Sequence, residues 1–263
     1  EMSASLVGSE MCIRDRTLSK DITVLSFSDS SMVDRNSSII KVDSGWIVYS
    51  KNSESSILSF TSDGQFSGYI GHRGNGPGEY TSVYDVVVNQ KSKVLEVLSD
   101  GGIFCYTFGG DFLDKKEVTY PAFSFAIDDR QNYWFYVGNN TTYGDAKMIC
   151  TDENIANVAY YLHQKSNMLP MVENNFGRNG EWLTFHESLN HDLYTIENGK
   201  LDLSYAMDFP NYKLPKKLHE LSGMEVIEEL QRSNYASIIN YLENHDYISV
   251  SYTHLRAHET SAH

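Results

Sequence analysis

Residues 71–80 read Gly71-His72-Arg73-Gly74-Asn75-Gly76-Pro77-Gly78-Glu79-Tyr80, and five of these ten residues are glycine or proline. Glycine reaches backbone angles that are closed to other residues, and proline fixes one angle and removes a hydrogen-bond donor. The flanking segments, Tyr69-Ile70 and Val83–Val88, are rich in the aromatic and β-branched residues that favour strands. The pattern therefore predicts a tight connector between two strands, which is not itself a strand or a helix.

Units of four strands recur along the chain on both sides of this connector. The last turn of each unit is followed by an apolar residue, at Phe66, Phe112, Ile155 and Leu201. These positions are 46, 43 and 46 residues apart. A period of about 45 residues with four strands in each unit is typical of β-propeller blades. The sequence thus predicts an all-β fold with about four blades.

Other segments depart from this period. Ile22–Phe27 alternates apolar and polar residues, which predicts one more strand. Apolar residues at three-residue steps and several glutamates predict a short helix over Met224–Arg232. Tyr235–Tyr241 and Asp246–Ile248 are expected to open a fifth blade, which the chain does not finish. The predicted propeller is therefore incomplete.

The connector and the strand after it resemble the junction of NHL-type β-propeller repeats. The matching positions are Gly74, Gly76, Gly78, Glu79, Tyr80 and Val86–Val88. The sequence departs from the pattern at Val83, Asp85 and Asn89, where these repeats usually have proline, glycine and aspartate. The variant in residues 74–80 is similar to the six-bladed propeller proteins of Bacteroidota, which are mostly known as extracytoplasmic lipoproteins of unknown function. Over roughly residues 21–248, the resemblance implies a six-bladed propeller outside the cytoplasmic membrane, with a lipid anchor in the full-length protein.

The two ends of the chain do not follow the pattern of the repeats. Residues 1–16 and 250–263 resemble translated sequencing-adapter read-through, so we expect them to be artefactual tails that contribute little to the core. By pattern alone, Val250–Tyr252 could instead extend the strand Asp246–Ile248. The propeller domain is then expected to span residues 17–249 of a truncated protein. This interpretation removes Cys12 and three histidines near the C-terminus from the search for metal ligands.

Composition limits the partners that we expect. The chain has 263 residues and a formal net charge of −14, so nucleic acids and anionic membrane surfaces are not expected to bind. It contains no apolar run of about twenty residues, the length that spans a bilayer. Cys105 and Cys150 each lie in an apolar strand pattern without a second cysteine nearby, which predicts buried free thiols.

Two interpretations of the connector remain open. In propellers such connectors run toward the central channel, so Arg73, Asn75, Glu79 and Tyr80 are candidate ligand-binding residues. Alternatively, Gly74, Gly76, Pro77 and Gly78 form a structural turn, Glu79 caps backbone donors and Tyr80 packs between blades. Turn residues usually indicate turn geometry, and this favours the second interpretation. In either case at least one of the glycines is expected at positive φ.

Two other groups of residues could suggest a metal site. His186, Glu187, His191 and Asp192 lie within seven positions, but in a predicted hairpin loop with no third ligand fixed by the sequence. A solvated loop is the preferred interpretation. The acidic set, Asp85, Asp100, Asp128, Asp129 and Asp152, is scattered over the units, and turn or edge roles are preferred there. We therefore predict no metal site.

The chain contains no nucleophile elbow, no H-E-x-x-H and no Walker-type loop, and no catalytic residue is predicted. The preferred hypothesis is a non-catalytic scaffold that binds a glycan, a peptide or a protein outside the cytoplasmic membrane and has no cofactor. The alternative is a propeller enzyme, either a lactonase-like hydrolase or an NHL-type lyase, with a metal such as calcium in the channel. Three or more of the acidic or histidine side chains converging at the inner ends of the blades would favour the enzyme.

Overall fold

The structure is a computed structural model that describes residues 24–28, 33, 37–51, 56–138, 144–156, 158–163, 174–221 and 223–255. The predicted tail 1–16 lies outside this part of the chain. The chain divides into two compact units. The first runs to Asp100 and includes Phe104–Lys115, and the second includes Gly101–Ile103 and the chain from Lys116 onward.

The first unit begins with a four-stranded antiparallel sheet that we call blade 1. Its strands are β1 (Ser38–Val42), β2 (Gly45–Tyr49), β3 (Ile57–Thr61) and β4 (Phe66–Ile70), paired in sequence order. The connector follows, and it contains two short strands, β5 (His72–Arg73) and β6 (Glu79–Tyr80), which pair in parallel. The prediction that the connector holds no strand is therefore wrong, because backbone hydrogen bonding continues across the glycine-rich turn.

Blade 2 consists of β7 (Asp85–Asn89), β8 (Val94–Ser99), β9 (Gly102–Tyr106) and β10 (Phe112–Lys116). All residues of β9 are buried, whereas four of the five residues of β10 are exposed. The last strand is thus the open edge of the sheet. The first strand begins at Asp85, two residues after the predicted start, because Val83 lies in the loop although it is buried.

The second unit contains two more sheets of the same form. Blade 3 has the strands β11 (Ser124–Ile127), β12 (Tyr133–Tyr136), β13 (Ala146–Thr151) and β14 (Ala159–His163). Blade 4 has the strands β15 (Phe176–Asn179), β16 (Trp182–His186), β17 (Asp192–Glu197) and β18 (Lys200–Ala206). Four antiparallel meanders of four strands confirm the prediction of an all-β, propeller-type fold.

The chain then forms a short 3-10 helix, Lys216–Glu220, and the helix α1, Met224–Arg232, whose bounds are those predicted. A hairpin of β19 (Tyr235–Glu243) and β20 (Ile248–Leu255) follows, where the opening strands of a fifth blade are predicted. A helix of nine residues is too short to be stable alone, so it depends on packing. Its buried residue Val226 packs in a cluster with Leu189. Among the described residues, no helix is long and apolar enough to cross a membrane.

Two further expectations about the ends of the domain are wrong in part. Val24–Phe27 forms no strand, because the segment packs through side chains, with the Phe27 and Phe60 ring centroids 4.6 Å apart, and does not join a ladder. At the other end, β20 extends beyond Val250, and the Tyr252 and Phe209 ring centroids lie 4.9 Å apart. Val250 and Tyr252 therefore contribute to packing that was not expected of residues 250–263.

Candidate functional site

The connector in the first unit is ordered by its own backbone. The Gly74 amide donates to the Tyr80 carbonyl at 3.0 Å, and the Glu79 amide donates to the Gly76 carbonyl at 3.1 Å. The positive φ predicted for one of the glycines occurs at Gly78, with a φ of 73°. These hydrogen bonds close the turn and bring its two ends together, as the parallel pairing of β5 and β6 requires.

Glu79 caps this turn. Its Oε2 accepts a hydrogen bond from the Gly76 amide at 2.8 Å, as the second interpretation of the connector predicts. A Cβ atom at Gly74 would lie 2.0 Å from the same oxygen. The Glu79 carboxylate therefore fills the space over the glycines and is committed to the backbone.

Tyr80 anchors the connector in the core of the first unit. Only 1% of its surface is exposed, and its ring lies edge-on to Tyr106 with centroids 6.2 Å apart. Its hydroxyl donates to the Ile70 carbonyl and accepts from the Ile57 amide, each at 3.3 Å. Because the ring and the hydroxyl are both engaged, Tyr80 offers no surface to a ligand in this arrangement, and its role is in packing.

The other two candidate residues of the connector, Arg73 and Asn75, are both exposed. Among the described arginines, Arg73 alone makes no hydrogen bond or ion pair through its side chain; the others are Arg130, Arg178 and Arg232. Its near neighbour Glu79 is turned onto the backbone. The connector thus presents an unpaired guanidinium and an amide on a backbone that Tyr80 holds in place.

Gly78 gives a direct test of this geometry. A Cβ at Gly78 would lie 2.6 Å from the Phe112 ring, in addition to the strain of a positive φ. We expect Gly78→Val to lower the free energy of unfolding by about 1–3 kcal/mol, measured by urea denaturation. Gly144→Val is the matched control, because Gly144 has a φ of +74° and a Cβ placed there would meet no described atom within 4 Å. Equal losses in the two variants would show that Gly78 is not a packing constraint.

The second unit contains a buried group of polar residues around Glu187, which was predicted to be solvated. Glu187 is 5% exposed, and its Oε1 accepts hydrogen bonds from the Tyr136 hydroxyl at 2.7 Å and from Lys147 Nζ at 2.8 Å. We call these three residues the Glu187 cluster. Tyr136 and Lys147 belong to blade 3, and Glu187 follows the second strand of blade 4. The interpretation of Glu187 as part of a solvated loop is wrong, because its charge is neutralised by a partner in the adjacent blade.

His186, the last residue of β16, is also buried, with 1% of its surface exposed. Neither ring nitrogen has a hydrogen-bond partner among the described residues. Burial lowers the pKa of His186 to about 4, although the backbones of Ile239 and Asn175 and the charge of Glu187 act in the opposite direction. The ring is therefore neutral at neutral pH.

The other two members of the predicted group, His191 and Asp192, each contact other residues. The Nε2 atom of His191 lies 2.9 Å from the Ala236 carbonyl, and its ring packs against Phe209. Asp192 accepts a hydrogen bond from the Tyr194 hydroxyl at 3.4 Å. In the described part of the chain, no three histidine, cysteine or acidic side chains are grouped so that they could hold a metal ion.

The acidic set takes local roles for the most part. Asp152 accepts hydrogen bonds from two amides of its own turn, at 3.0 and 2.9 Å, and Asp128 likewise accepts from the amides that follow it. Asp100 accepts from three hydroxyl groups, and the one on Tyr84 contributes most to lowering the pKa of its carboxyl group. Asp129 is exposed. These contacts agree with turn and edge roles.

Asp85 is the exception, and it repeats the arrangement of the Glu187 cluster. Its Oδ1 accepts a hydrogen bond from the Tyr49 hydroxyl at 3.2 Å and lies 2.9 Å from Lys51 Nζ. Tyr49 ends the second strand of blade 1, as the cluster's tyrosine ends the second strand of blade 3. In each unit, a tyrosine and a lysine of one blade thus share one carboxylate oxygen of the following blade.

Neither of the two lysines and neither of the two tyrosines was predicted from the sequence. A signal for one of them is present, since Lys147 lies in an otherwise apolar strand, Ala146–Thr151, and a buried ammonium group needs a carboxylate partner. The partner itself lies forty positions away in another repeat, and the spacing within one strand cannot reveal it. The two free thiols, Cys105 and Cys150, are buried as predicted.

Solved structures show which fold this geometry belongs to. A protein of Bacteroides fragilis described as exported is 16% identical, with a TM-score of 0.72 over 88% of this chain and 68% of that one. A member of the DUF4221 family from Bacteroides vulgatus is 11% identical, with a TM-score of 0.48 over 80% and 70% of the two chains. A streptogramin B lyase is 15% identical, with a TM-score of 0.44 over 83% and 69%. The first of these shares the fold, and at such low identity the likeness shows nothing more.

Sequence comparison gives the family. No curated protein matches the chain. The family described as Domain of unknown function (DUF4934) matches residues 20–262, which include both the connector and the Glu187 cluster. The chain therefore belongs to the DUF4934 family.

Proposed function

We propose that this protein is a non-catalytic ligand-binding propeller that works outside the cytoplasmic membrane, and that the connector forms part of its binding surface. The observation that carries the proposal is the unpaired Arg73 guanidinium, which lies exposed near Asn75 on an anchored backbone. A guanidinium binds a carboxylate through two parallel hydrogen bonds, and a preorganised loop loses little entropy on binding. The expected ligand is a glycan, a peptide or a protein that carries a carboxylate.

The location outside the cytoplasmic membrane is supported by the description of the Bacteroides fragilis protein as exported. The same proposal includes the six-bladed, NHL-like form and the lipid anchor that the sequence resemblance implies. An enzymatic role would need metal-ligating side chains to converge, and the contacts of the acidic set give that alternative no support.

Binding can be measured by calorimetry with three probes: an oligogalacturonate, a peptide with a free C-terminal carboxylate, and the same peptide with an amidated C-terminus. We expect one of the two carboxylate probes to bind, and we expect Arg73→Ala to weaken that binding about tenfold or more, because a charge-assisted hydrogen bond contributes about 1.5–3 kcal/mol. Arg130→Ala is the control, since Arg130 is also exposed but donates to Asn198 at 3.1 Å.

Three outcomes would contradict the proposal. The first is that neither carboxylate probe binds. The second is that the amidated peptide binds as tightly as the free acid. The third is that Arg73→Ala and Arg130→Ala have equal effects on affinity.

A further inference from the structure

The hairpin β19–β20 is attached to blade 4 by polar contacts around an apolar cluster. The Thr184 hydroxyl donates to the Tyr241 carbonyl at 2.8 Å, and the Ser237 hydroxyl donates to the Ser188 carbonyl at 3.1 Å. The cluster between the two elements includes Leu193, Phe209, Ala236, Ile238 and Tyr241. The hairpin thus packs on blade 4 through this interface, and Tyr235 at its start also packs in the cluster with Leu218 and Val226.

His186 lies at the same interface. The His186 amide donates a hydrogen bond to the Asn175 carbonyl at 3.0 Å. The backbone of Ile239 on β19 is near enough to the ring to raise the pKa of His186, against the larger lowering by burial. Neither ring nitrogen completes a hydrogen bond with the part of the chain that the structure describes. A neutral imidazole can be buried in this way at moderate cost, whereas a buried imidazolium without a partner costs much more.

Other titratable groups lie on the elements around β16. They are Glu187 after β16, Lys147 on β13, Asp192 and Tyr194 on β17, His191 in the loop between β16 and β17, Arg178 on β15, and Tyr235, Tyr241 and Glu243 on β19. Lys147 neutralises Glu187, the charged group whose field acts on His186. Burial raises the pKa values of the tyrosines, so these side chains do not titrate in acid. Opening of the interface to water would return His186 to the ordinary range of an imidazole, which gains a proton between pH 8 and pH 5.

We infer that the hairpin is released from blade 4 in mild acid, with protonation of His186 as the trigger. Because neither ring nitrogen of this buried side chain has a hydrogen-bond partner in the described part of the chain, an added proton is best accommodated by opening the interface to water. This inference does not depend on the proposed binding function, because it concerns other residues in the second unit.

The direction follows from the pKa of His186, which is about 4 in the folded chain and 6.5 in a solvated one. A lowered pKa means that the opened state binds the proton more tightly, so the attachment is at full strength above pH 6.5 and weakens as the pH falls toward 4. The two values give a shift of about 30-fold in the opening equilibrium between pH 8 and pH 5.

Hydrogen exchange of the full chain measures this opening directly. The protection factors of amides in β19, corrected for the intrinsic pH dependence of exchange, should fall about 30-fold from pH 8 to pH 5 relative to those in β2. In His186→Met the fall should be absent, because methionine fills a similar volume and carries no titratable group. In His191→Gln, which can still donate to the Ala236 carbonyl, the fall should persist.

The inference is overturned if protection in β19 follows that of β2 in the wild-type chain, if His186→Met keeps the fall, or if His191→Gln removes it. A titration of the imidazole by NMR in the wild-type chain gives a test that needs no variant. A His186 pKa below 5 is expected, and a value near 6.5 would overturn the inference even if the methionine variant did not fold.

Discussion

Lys147→Met is expected to lower the free energy of unfolding by about 3–5 kcal/mol, because it leaves the Glu187 carboxylate buried without its cation. The side chains of Lys147 and Glu187 are only 3% and 6% exposed, and the other two donors to the carboxylate, the Tyr136 hydroxyl and the Asn190 side-chain amide, carry no charge. Urea denaturation followed by circular dichroism measures the loss.

A thermodynamic cycle separates the ion pair from its surroundings. In Lys147→Met/Glu187→Leu no charge is left unpaired, so the double variant should be more stable than the lysine variant. Lys93→Met is the control, since Lys93 pairs with Asp43 at 3.3 Å on the surface, with 54% and 79% of the two side chains exposed, and little change is expected. A loss in Lys147→Met no larger than that in Lys93→Met would show that the Glu187 cluster does not stabilise the fold.

Tyr80→Ala is expected to cost about 3–5 kcal/mol, the usual loss when a fully buried aromatic side chain is truncated. The ring packs on Tyr106 and is surrounded by side chains from both blades of the first unit. The variant also removes the hydroxyl that the Ile57 amide needs as an acceptor. Urea denaturation gives the value, and the transition of the first unit should move more than that of the second if the two are resolved.

Two further variants serve as controls for the loss of stability in Tyr80→Ala. Tyr80→Phe keeps the ring and loses only the hydroxyl, so about 1 kcal/mol is expected. Tyr69→Ala removes a tyrosine that is 43% exposed on the neighbouring strand, and it should cost less than Tyr80→Ala. Stability unchanged by Tyr80→Ala, together with a loss of ligand binding, would show that the connector is a binding site and not a joint.

Local patterns in the sequence predicted most of the fold. The four-stranded units and the helix Met224–Arg232 occur as the repeat and the apolar spacing predict, because these patterns indicate directly which faces are buried. Ile155 shows the limit of this approach. It was predicted to follow the last turn of its unit, yet it has a φ of 57° and its amide donates to the Asp152 carbonyl. Ile155 therefore belongs to the turn, and β14 begins at Ala159.

The candidate site was predicted less well, because its contacts connect residues that are distant in sequence. Glu79 and Tyr80 act locally, and their capping and packing roles follow from the glycines around them. His186 and Glu187 were assigned to a solvated loop because their own segment is polar. The partners of Glu187 lie forty or more positions earlier, and the hairpin next to His186 lies about fifty positions later. No pattern within one repeat can indicate which carboxylate a lysine in another repeat requires.

The account rests on the connector being an ordered joint that holds Arg73 in place. Hydrogen exchange at the amides of Gly74, Gly76 and Glu79 tests this most directly, because each amide donates a hydrogen bond within the connector. Although residues around them are exposed, we expect these amides to be protected to a similar degree as those of β4. Exchange at the rate of an unstructured peptide would show that the connector is a flexible loop and would contradict the account.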